Sequence, residues 1–206
     1  MSYRRIKNEN FEESWIAIGD IHSHKIHLQS ILTQCKEYPN HKLIFLGDYF
    51  DYGNSLACVL DLFISLERTA IFLLGNHEHE FFQFVSTYGT NRENQRKILN
   101  HFKINHHHLQ WLHETLVISY VNQTTFFSHA GIDDLTTLEE QEDYHLLYSS
   151  FRENLDHVTQ KKIVQGHIPM KKVCNFGNHY FIDTGCGLGG HLSALVYPEM
   201  EVLKSE

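Results

Sequence analysis

Acidic, amide and imidazole side chains follow one apolar run after another along this chain. The residues are Asp20 and His22 after the first run, Asp48 and Asp51 after the second, Asn76 and His77 after the third, and His129 and His167 after later runs. A single residue of this kind is more often a turn or helix-cap residue. The same ligand types after five strand-like runs instead favour a metal site, and oxygen and nitrogen ligands without thiolate suit manganese as first choice, or zinc or iron. Two cations need a bridging carboxylate, for which Asp48 is the candidate.

The elements that must position these residues form repeated units of strand, loop and helix. Short apolar runs at residues 15–18, 43–46 and 70–74 each lead into a glycine-containing turn, and apolar residues at helical spacing follow each turn. Three such units in a row predict parallel strands joined by crossover helices. Ligands in open α/β sheets collect at the carboxyl ends of the strands, so these polar side chains should converge on one crevice.

The second half of the chain has a different pattern. Helices are predicted at residues 94–115 and 144–155. Strand-like runs separated by turn residues lie at residues 116–120, 124–128, 162–165, 180–183, 192–197 and 201–203. An α/β first half therefore meets a β-rich second half. The length of 206 residues suits one domain, over residues 1–206, and is short for two independent cores.

Composition argues against several classes of protein. The start of the chain is polar and charged, and nowhere do about 18 apolar residues run together, so secretion and membrane spanning are disfavoured. A formal net charge of −8 argues against a nucleic-acid partner. The cysteines are isolated, with no C-x-x-C pair, which predicts buried, reduced thiols and a cytoplasmic location: Cys35, Cys58, Cys174 and Cys186.

The chain contains 17 histidines, which is compatible with metal binding. The run His106-His107-His108, however, has no paired-ligand spacing and precedes a helix-like segment. It predicts solvated residues at a helix start rather than a metal site.

The ordered motifs GDIH, GDYFDYG, GNHE, SHAG and GHIP closely resemble those of the calcineurin-like metallophosphoesterases. More narrowly, they resemble the phosphoprotein-phosphatase branch, among small bacterial and phage members such as lambda phage phosphatase. The resemblance covers about residues 14–198. It implies an α/β fold in which two mixed β-sheets pack face to face with helices on both outer sides.

The resemblance also implies roles for the residues of each motif. Asp20 and His22 would hold the first metal, Asp48 would bridge, Asn76, His129 and His167 would hold the second, and His77 would be the general acid, oriented by Asp51. Physical chemistry agrees with this assignment, because water between two cations becomes acidic enough to attack phosphorus. The departing oxygen then needs a proton, which a histidine beside the metals can supply.

The chain departs from the family pattern where phosphate is expected to bind. Ser23 replaces a glycine next to the first metal, and Tyr52 and Ser150 stand where the family has phosphate-binding arginines. A guanidinium holds phosphate through two parallel hydrogen bonds that these side chains do not provide. Arg152 would share a helix face with Tyr148 and is a candidate replacement for the missing arginines. The pattern is equally compatible with a solvated helix residue. Arg68 precedes a strand, which places it at the wrong edge of the sheet.

Three functions remain open at this point. The leading hypothesis is a phosphomonoesterase, on phosphoserine or phosphothreonine or on a small phosphorylated metabolite, with Arg152 and Tyr52 as substrate-binding candidates. The alternative is a symmetric dinucleoside tetraphosphatase, because Pro169 gives the GH-x-P ending that both enzyme types share. The third hypothesis, a catalytically weak binding protein, is supported by the missing arginines and opposed by the complete ligand set.

Overall fold

The computed structural model describes residues 3–8, 14–67 and 69–206. The strands in this part of the chain are β1 Arg5–Asn8, β2 Trp15–Ile18, β3 Lys42–Phe45, β4 Ala70–Phe72, β5 Ser119–Asn122, β6 Thr125–Ser128, β7 Lys162–Gln165, β8 Cys174–Phe176, β9 His179–Phe181, β10 Ser193–Tyr197 and β11 Glu201–Lys204. The α-helices are α1 Lys25–Cys35, α2 Leu56–Leu66, α3 Asn76–Tyr88, α4 Arg92–His101, α5 His106–Thr115 and α6 Asp143–Tyr148. A short 3₁₀ helix spans Cys186–Leu188.

The first sheet has five strands in the order β11-β10-β2-β3-β4. Strands β2, β3 and β4 are parallel, with Trp15 opposite Lys42 and Leu43 opposite Ala70. Helices α1 and α2 connect them, as the repeated pattern predicts. Strand β10 runs antiparallel to β2 and to β11. The carboxyl ends of the three parallel strands therefore lie along one edge of the sheet.

The second sheet has six strands in the order β1-β5-β6-β7-β9-β8. Strands β6, β7 and β9 are parallel, while β5 is antiparallel to β6 and β8 to β9. An isolated parallel bridge between Leu73 and Val117 joins the region just after β4 to the region just before β5. Both sheets are mixed.

Alternate residues of the central strands form a buried layer between the two sheets. The edge of the Trp15 ring meets Phe127 of the other sheet at a centroid distance of 5.0 Å. The remaining members come from both sheets and the segments beside them: Ala17, Ile44, Leu46, Leu73, Val117, Tyr120, Val164, Ile182 and Leu195. The predicted face-to-face packing of two mixed sheets is confirmed.

Helices cover the outer faces. Phe45 of β3 contacts Phe63 of α2, and Phe72 of β4 contacts Trp111 of α5. On the second sheet, the carbonyl of Leu146 in α6 accepts a hydrogen bond from the backbone amide after His129. None of the helices that the structure describes is long and apolar enough to cross a membrane.

Two helix predictions were wrong in extent. The segment 94–115 contains two helices, α4 and α5, because Lys103 adopts a left-handed conformation with φ +56°. The segment 144–155 is helical only to Tyr148. Beyond it, Phe151 stacks on Phe181 at 5.3 Å, so contacts with β9 draw the chain out of the helix. Arg152 consequently shares no helix face with Tyr148.

Two predictions about single side chains also need correction. His106–His108 do begin α5, but His108 is buried, and its Nε2 lies 3.0 Å from Asp61 Oδ1. It closes the helix start with Asn105 and is not solvated. All four cysteines are free, yet only Cys35 and Cys186 are buried, whereas Cys174 is half-buried and Cys58 is exposed.

Candidate active site

The loops that follow β2, β3 and β7 and the first turn of α3 converge on one cavity of about 150 Å³. The predicted site residues that line it are Asp20, His22, Asp48, Tyr52, Asn76, His77 and His167. Four further lining residues were not predicted from the sequence: Asp183, Gly185, Gly187 and Leu188. His129 is fully buried and lies directly behind Asn76.

Asp48 occupies the middle of this arrangement. Its Oδ1 lies 3.3 Å from Nε2 of His129, while its Oδ2 lies 3.8 Å from Nε2 of both His22 and His77. Two groups of possible metal ligands among the described residues share it: His22, Asp48 and His77, and Asp48, His129 and His167, with ligand atoms within 4.8 Å of one another. Burial favours the neutral acid, but the histidines outweigh it and hold the pKa of Asp48 well below its usual range. The two oxygens of this carboxylate thus face two different ligand groups.

Backbone carbonyls orient two of the histidines. Nδ1 of His22 lies 2.8 Å from the carbonyl of Phe50, and Nδ1 of His129 lies 2.8 Å from the carbonyl of Leu46. A carbonyl oxygen only accepts, so Nδ1 of each ring carries the proton. Nε2 of each ring is then the nitrogen that faces Asp48, and it is the one available to a cation, as in a metal-binding histidine.

Asn76 links the other two histidines. Its Oδ1 lies 2.8 Å from Nε2 of His129 and 3.1 Å from Nδ1 of His167. Burial, and then the charge of His129, lower the pKa of His167 to about 4. A neutral His167 keeps a lone pair for a cation. The amide oxygen and two imidazole nitrogens therefore converge in front of Oδ1 of Asp48.

Asp20 and Asp183 bring two more carboxylates to the same cavity. The Asp20 carboxylate accepts a hydrogen bond from the backbone amide of His167 at 3.0 Å. Burial, and then the charge of Asp183, raise the pKa of Asp20 well above its usual range. Burial also raises the pKa of Asp183 to about 6. Asp183 lies just after β9, so the strand-end pattern that marked the other ligands could have marked it as well.

The residues present fit divalent cations. Imidazole nitrogens, carboxylate oxygens and one amide oxygen converge without any thiolate, which suits manganese, zinc or iron. Asp20, Asp48 and Asp183 place negative charge in one buried cavity, and burial together with repulsion from the other two carboxylates raises the pKa of Asp20. Positive charge between them would relieve that repulsion. Asp20 belongs to neither of the two ligand groups, although it lines the same cavity.

His77 and Asp51 form a pair at the mouth of the cavity. Nδ1 of His77 lies 2.6 Å from Oδ2 of Asp51. Burial alone would lower the pKa of His77, but the charge of Asp48 and the hydrogen bond with Asp51 outweigh burial and raise it. The Asp51 side chain remains about half exposed, at 49%. The imidazole therefore tends to keep its proton where a substrate can reach it.

Glu78 is a structural residue of the site that the sequence analysis missed. It is completely buried, and its two carboxylate oxygens accept four backbone hydrogen bonds at 2.7 to 3.1 Å, from Asp48, Tyr49, Phe50 and Gly75. Burial, and then the charge of Asp48, raise the pKa of Glu78 to about 7. Glu78 thereby ties the loop after β3 to the start of α3. Its place in the GNHE motif could have identified it from the sequence.

Several residues around the cavity adopt left-handed backbone conformations, although none is glycine. They are His22 with φ +47°, Ser23 with +63°, Asp48 with +52°, Asp51 with +64°, Tyr52 with +54° and His167 with +62°. This conformation costs such a residue about 1–2 kcal/mol. Backbone hydrogen bonds hold the loops in place, including those from His22 to Asp48 at 2.9 Å and from Ser23 to Tyr49 at 2.8 Å.

The cavity lining contains no arginine and no lysine among the described residues. Tyr52 is 62% exposed at the rim, and its ring lies 4.7 Å from His22 and 5.7 Å from His77. The predicted replacement, Arg152, instead donates to Asp134 Oδ1 at 2.8 Å and to Ser150 Oγ at 2.6 Å. Arg68 lies outside the described residues.

The fold and the site define a metal-dependent hydrolase. A model of the calcineurin-like phosphoesterases matches residues 15–191, and the chain belongs to that family. Members of the family use two metal ions to hydrolyse phosphoesters, which is the chemistry that the two ligand groups around Asp48 suit. The predicted family and enzyme class are thereby confirmed.

The chain is similar to several known proteins over most of its length. It is 28% identical to an asymmetrical bis(5'-nucleosyl)-tetraphosphatase of Anoxybacillus flavithermus, over 90% of this chain and 91% of that protein. A solved structure of a candidate diadenosine tetraphosphatase superposes with a TM-score of 0.77 at 19% identity, covering 98% and 97% of the two chains. A serine/threonine phosphatase of Saccharomyces cerevisiae superposes with a TM-score of 0.64 at 17% identity, covering 100% and 83%.

Proposed function

We propose that this protein hydrolyses phosphate esters or phosphoanhydrides of nucleotides. The observation that carries the reaction type is the position of Asp48, whose two oxygens face two separate ligand groups. In this proposal two divalent cations are held by Asp20, His22, Asp48, Asn76, His129 and His167. When bound, the cations would supply positive charge that acidifies water and polarises the phosphate.

The protein's own residues have distinct roles in this proposal. Asp48 would be the carboxylate shared by the two cations, because it belongs to both ligand groups. His77 donates its proton to the departing oxygen of the substrate, because Asp48 and Asp51 both favour its protonated form. Asp51 orients the imidazole through Nδ1 and stabilises its positive charge. Manganese is the proposed metal, with zinc and iron as alternatives that the same ligands accept.

The choice of nucleotides rests on the rim of the cavity. No arginine or lysine lines the described part of it, so a phosphate group must be held mainly by the metals. A substrate with a nucleoside offers further contacts that compensate for the missing arginines, and the exposed ring of Tyr52 stands at that rim. The names of the relatives, such as the bis(5'-nucleosyl)-tetraphosphatase of Anoxybacillus flavithermus, support the same choice.

Hydrolysis of phosphomonoesters, including phosphoserine in proteins, is the second candidate. The half-exposed Asp51 beside His77 leaves the cavity open to solvent, which gives a protruding phosphorylated side chain access. Arg152 would then contribute to phosphate binding only if it left Asp134.

A side-by-side assay distinguishes nucleotide hydrolysis from phosphomonoester hydrolysis. The metal-depleted protein is supplied with manganese, zinc or iron and given diadenosine tetraphosphate, a phosphoserine peptide or p-nitrophenyl phosphate, and the products are resolved by anion-exchange chromatography. Hydrolysis of the dinucleotide should be the most efficient. ATP with AMP would show asymmetrical cleavage, and two molecules of ADP symmetrical cleavage. Efficient turnover of the phosphopeptide without turnover of the dinucleotide would overturn the proposal.

A further inference from the structure

A second cavity of about 380 Å³ adjoins the catalytic one. It lies between the segment that ends the loop after β2 and starts α1, residues 23–27, and the segment that precedes α2, residues 52–55. We call it the side trough. Tyr52 lines both the side trough and the catalytic cavity, so this one ring belongs to the walls of both spaces.

The side trough has an apolar surface that is unusual beside a catalytic cavity. Ile26 is 76% exposed and Tyr52 is 62% exposed, and both line it. Single exposed apolar side chains are ordinary, but two in one concave space next to a reactive centre indicate a binding function. No hydrogen bond of the Tyr52 hydroxyl is found within the described part of the chain, so the ring is not held there by its polar end.

The position of the Tyr52 ring is nevertheless defined. A Cβ atom added to Gly187 would come within 2.9 Å of Cδ2 of Tyr52 and within 2.5 Å of Cδ2 of His22. The backbone at Gly187 therefore lies directly against both rings, and only glycine allows this approach. Tyr52 is thus supported on one side by backbone and histidine rings, while much of its surface faces solvent. Such a ring is a preformed platform for another flat ring.

The remaining lining suits a polar, neutral ring system carrying a sugar. Asn54 and Ser55 offer amide and hydroxyl groups, and Lys25 places one positive charge beside the platform. The volume lies within the range of about 300–1,000 Å³ typical of small-molecule sites.

We propose that the side trough is the subsite for a nucleoside of the substrate, whose base stacks on Tyr52 beside Ile26 while its phosphates reach the catalytic cavity. This rests on the proposed function, because it assumes a nucleotide substrate. It assigns Tyr52 to specificity rather than to phosphate binding. A neighbouring trough of about 400 Å³ contains Asp51 and Lys103; its one phenylalanine, Phe102, is partly buried, and its exposed ring is the imidazole of His101.

The test compares diadenosine tetraphosphate with inorganic tripolyphosphate, which presents the same kind of phosphoanhydride without a nucleoside. The variants are Tyr52→Ala, Tyr52→Phe, Ile26→Ser and, in the neighbouring trough, Lys103→Asn. Tyr52→Ala should lower kcat/KM for the dinucleotide about 5- to 150-fold more than for tripolyphosphate, the range for losing one stacked base, and mainly through KM. Tyr52→Phe keeps the ring and should therefore keep the ratio of the two kcat/KM values found for the unmodified protein. Ile26→Ser should give a smaller selective loss.

Two outcomes overturn the subsite while leaving the proposed function intact. An equal loss on both substrates for Tyr52→Ala would show that the ring acts on the phosphates or supports His22 and His77. A selective loss for Lys103→Asn, without one for Tyr52→Ala, would place the nucleoside in the neighbouring trough.

A binding measurement keeps the subsite testable if no nucleotide is hydrolysed. Metal-depleted protein is titrated with adenosine, and with ribose as control, by NMR. The unmodified protein and Tyr52→Phe should bind adenosine, whereas Tyr52→Ala should not. Absence of adenosine binding to the unmodified protein would reject the subsite, whereas binding without turnover would reject only the proposed function.

Discussion

Nδ1 of His77 lies 2.6 Å from Oδ2 of Asp51, and this contact fixes which ring nitrogen faces the cavity. Because Nδ1 is occupied, Nε2 is the atom left to meet a substrate, and it lies 3.8 Å from Oδ2 of Asp48. One carboxylate therefore orients the ring from outside while another stabilises its charge from within.

His77→Asn should lower kcat by roughly 10²- to 10⁴-fold on substrates with poor leaving groups, the usual range for loss of a general acid. The loss should be smaller on p-nitrophenyl phosphate, because its leaving oxygen needs less protonation. Steady-state kinetics on alkyl and aryl esters measures the difference, with metal content determined in parallel. Asp51→Asn should give a milder form of the same pattern. Equal losses on both kinds of ester would mean that His77 does not act as the acid.

Asp48→Asn should be the most harmful change among the proposed metal ligands. A neutral amide bridges two cations poorly, and a loss of several kcal/mol of charge stabilisation corresponds to at least about 10³-fold in rate. Metal analysis after dialysis and activity measurements should show larger losses than for Asp20→Asn. A variant with full metal content and activity would exclude Asp48 as the bridge.

Glu78→Gln should destabilise the fold by about 2–4 kcal/mol. The new amide group would point its own donors at two backbone amides that now donate to a carboxylate oxygen, and each unsatisfied buried group costs about 1–3 kcal/mol. Urea denaturation of the metal-depleted protein gives the free energy of unfolding. Glu80→Gln, an exposed position in the same helix, is the matched control and should change it little. Equal stability of both variants would show that the four hydrogen bonds contribute no net stability.

His179 should make the stability of the protein depend on pH. Burial lowers the pKa of His179 to about 4, and its Nε2 lies 2.6 Å from Oε1 of Gln165. Below its ordinary pKa of about 6.5, the unfolded chain gains a proton that the folded chain does not, so stability falls as the pH falls towards 4. When the pH is lowered from 7.5 to 5.5, the free energy of unfolding of the metal-depleted protein should fall by about 1 kcal/mol more than that of the His179→Gln variant. His107→Gln, at an exposed position, should behave like the unmodified protein, and a His179→Gln profile parallel to it would contradict the prediction.

Arg152→Ala and Arg152→Lys distinguish the two roles considered for this residue. Its contacts with Asp134 and Ser150 engage the guanidinium, so both variants should change kcat/KM by less than about threefold, as for an ordinary surface ion pair. Both should retain their metals. A large and similar loss in both would show that Arg152 reaches phosphate as a two-pronged donor, because lysine replaces a guanidinium poorly in that role. Its role in substrate binding stays a prediction until then.

The ligand-bearing strand ends could be predicted because each is marked locally. An apolar run followed by glycine and a polar residue needs no knowledge of distant contacts, and β2, β3 and β7 formed close to the predicted positions. Asp183 follows the apolar residues at the end of β9 without a glycine between them, so only its place after a strand could have identified it.

The rest depends on tertiary contacts that periodicity does not encode. The burial of His108 requires Asp61 on another helix, and the end of α6 requires the stacking of Phe151 on Phe181. Strands β1 and β8 were missed, since their sequences RIKN and CNF are short and partly polar. The face-to-face arrangement of the sheets came from the resemblance to the family. The prediction of one domain remains a prediction.

The left-handed residues around the cavity also limit how this protein can change over evolutionary time. Ser23 has φ +63° at the position that the motif resemblance aligns with glycine, and Tyr52 has φ +54° at the position that it aligns with arginine. Glycine in place of Ser23 would relieve backbone strain without removing a metal ligand, although it would lose the hydrogen bond that Ser23 Oγ donates to the carbonyl of Tyr49. His22 and Asp48 have no such freedom, because their side chains are the proposed metal ligands. Laboratory evolution for heat resistance should therefore accumulate changes at positions such as Ser23 and leave His22 and Asp48 unchanged.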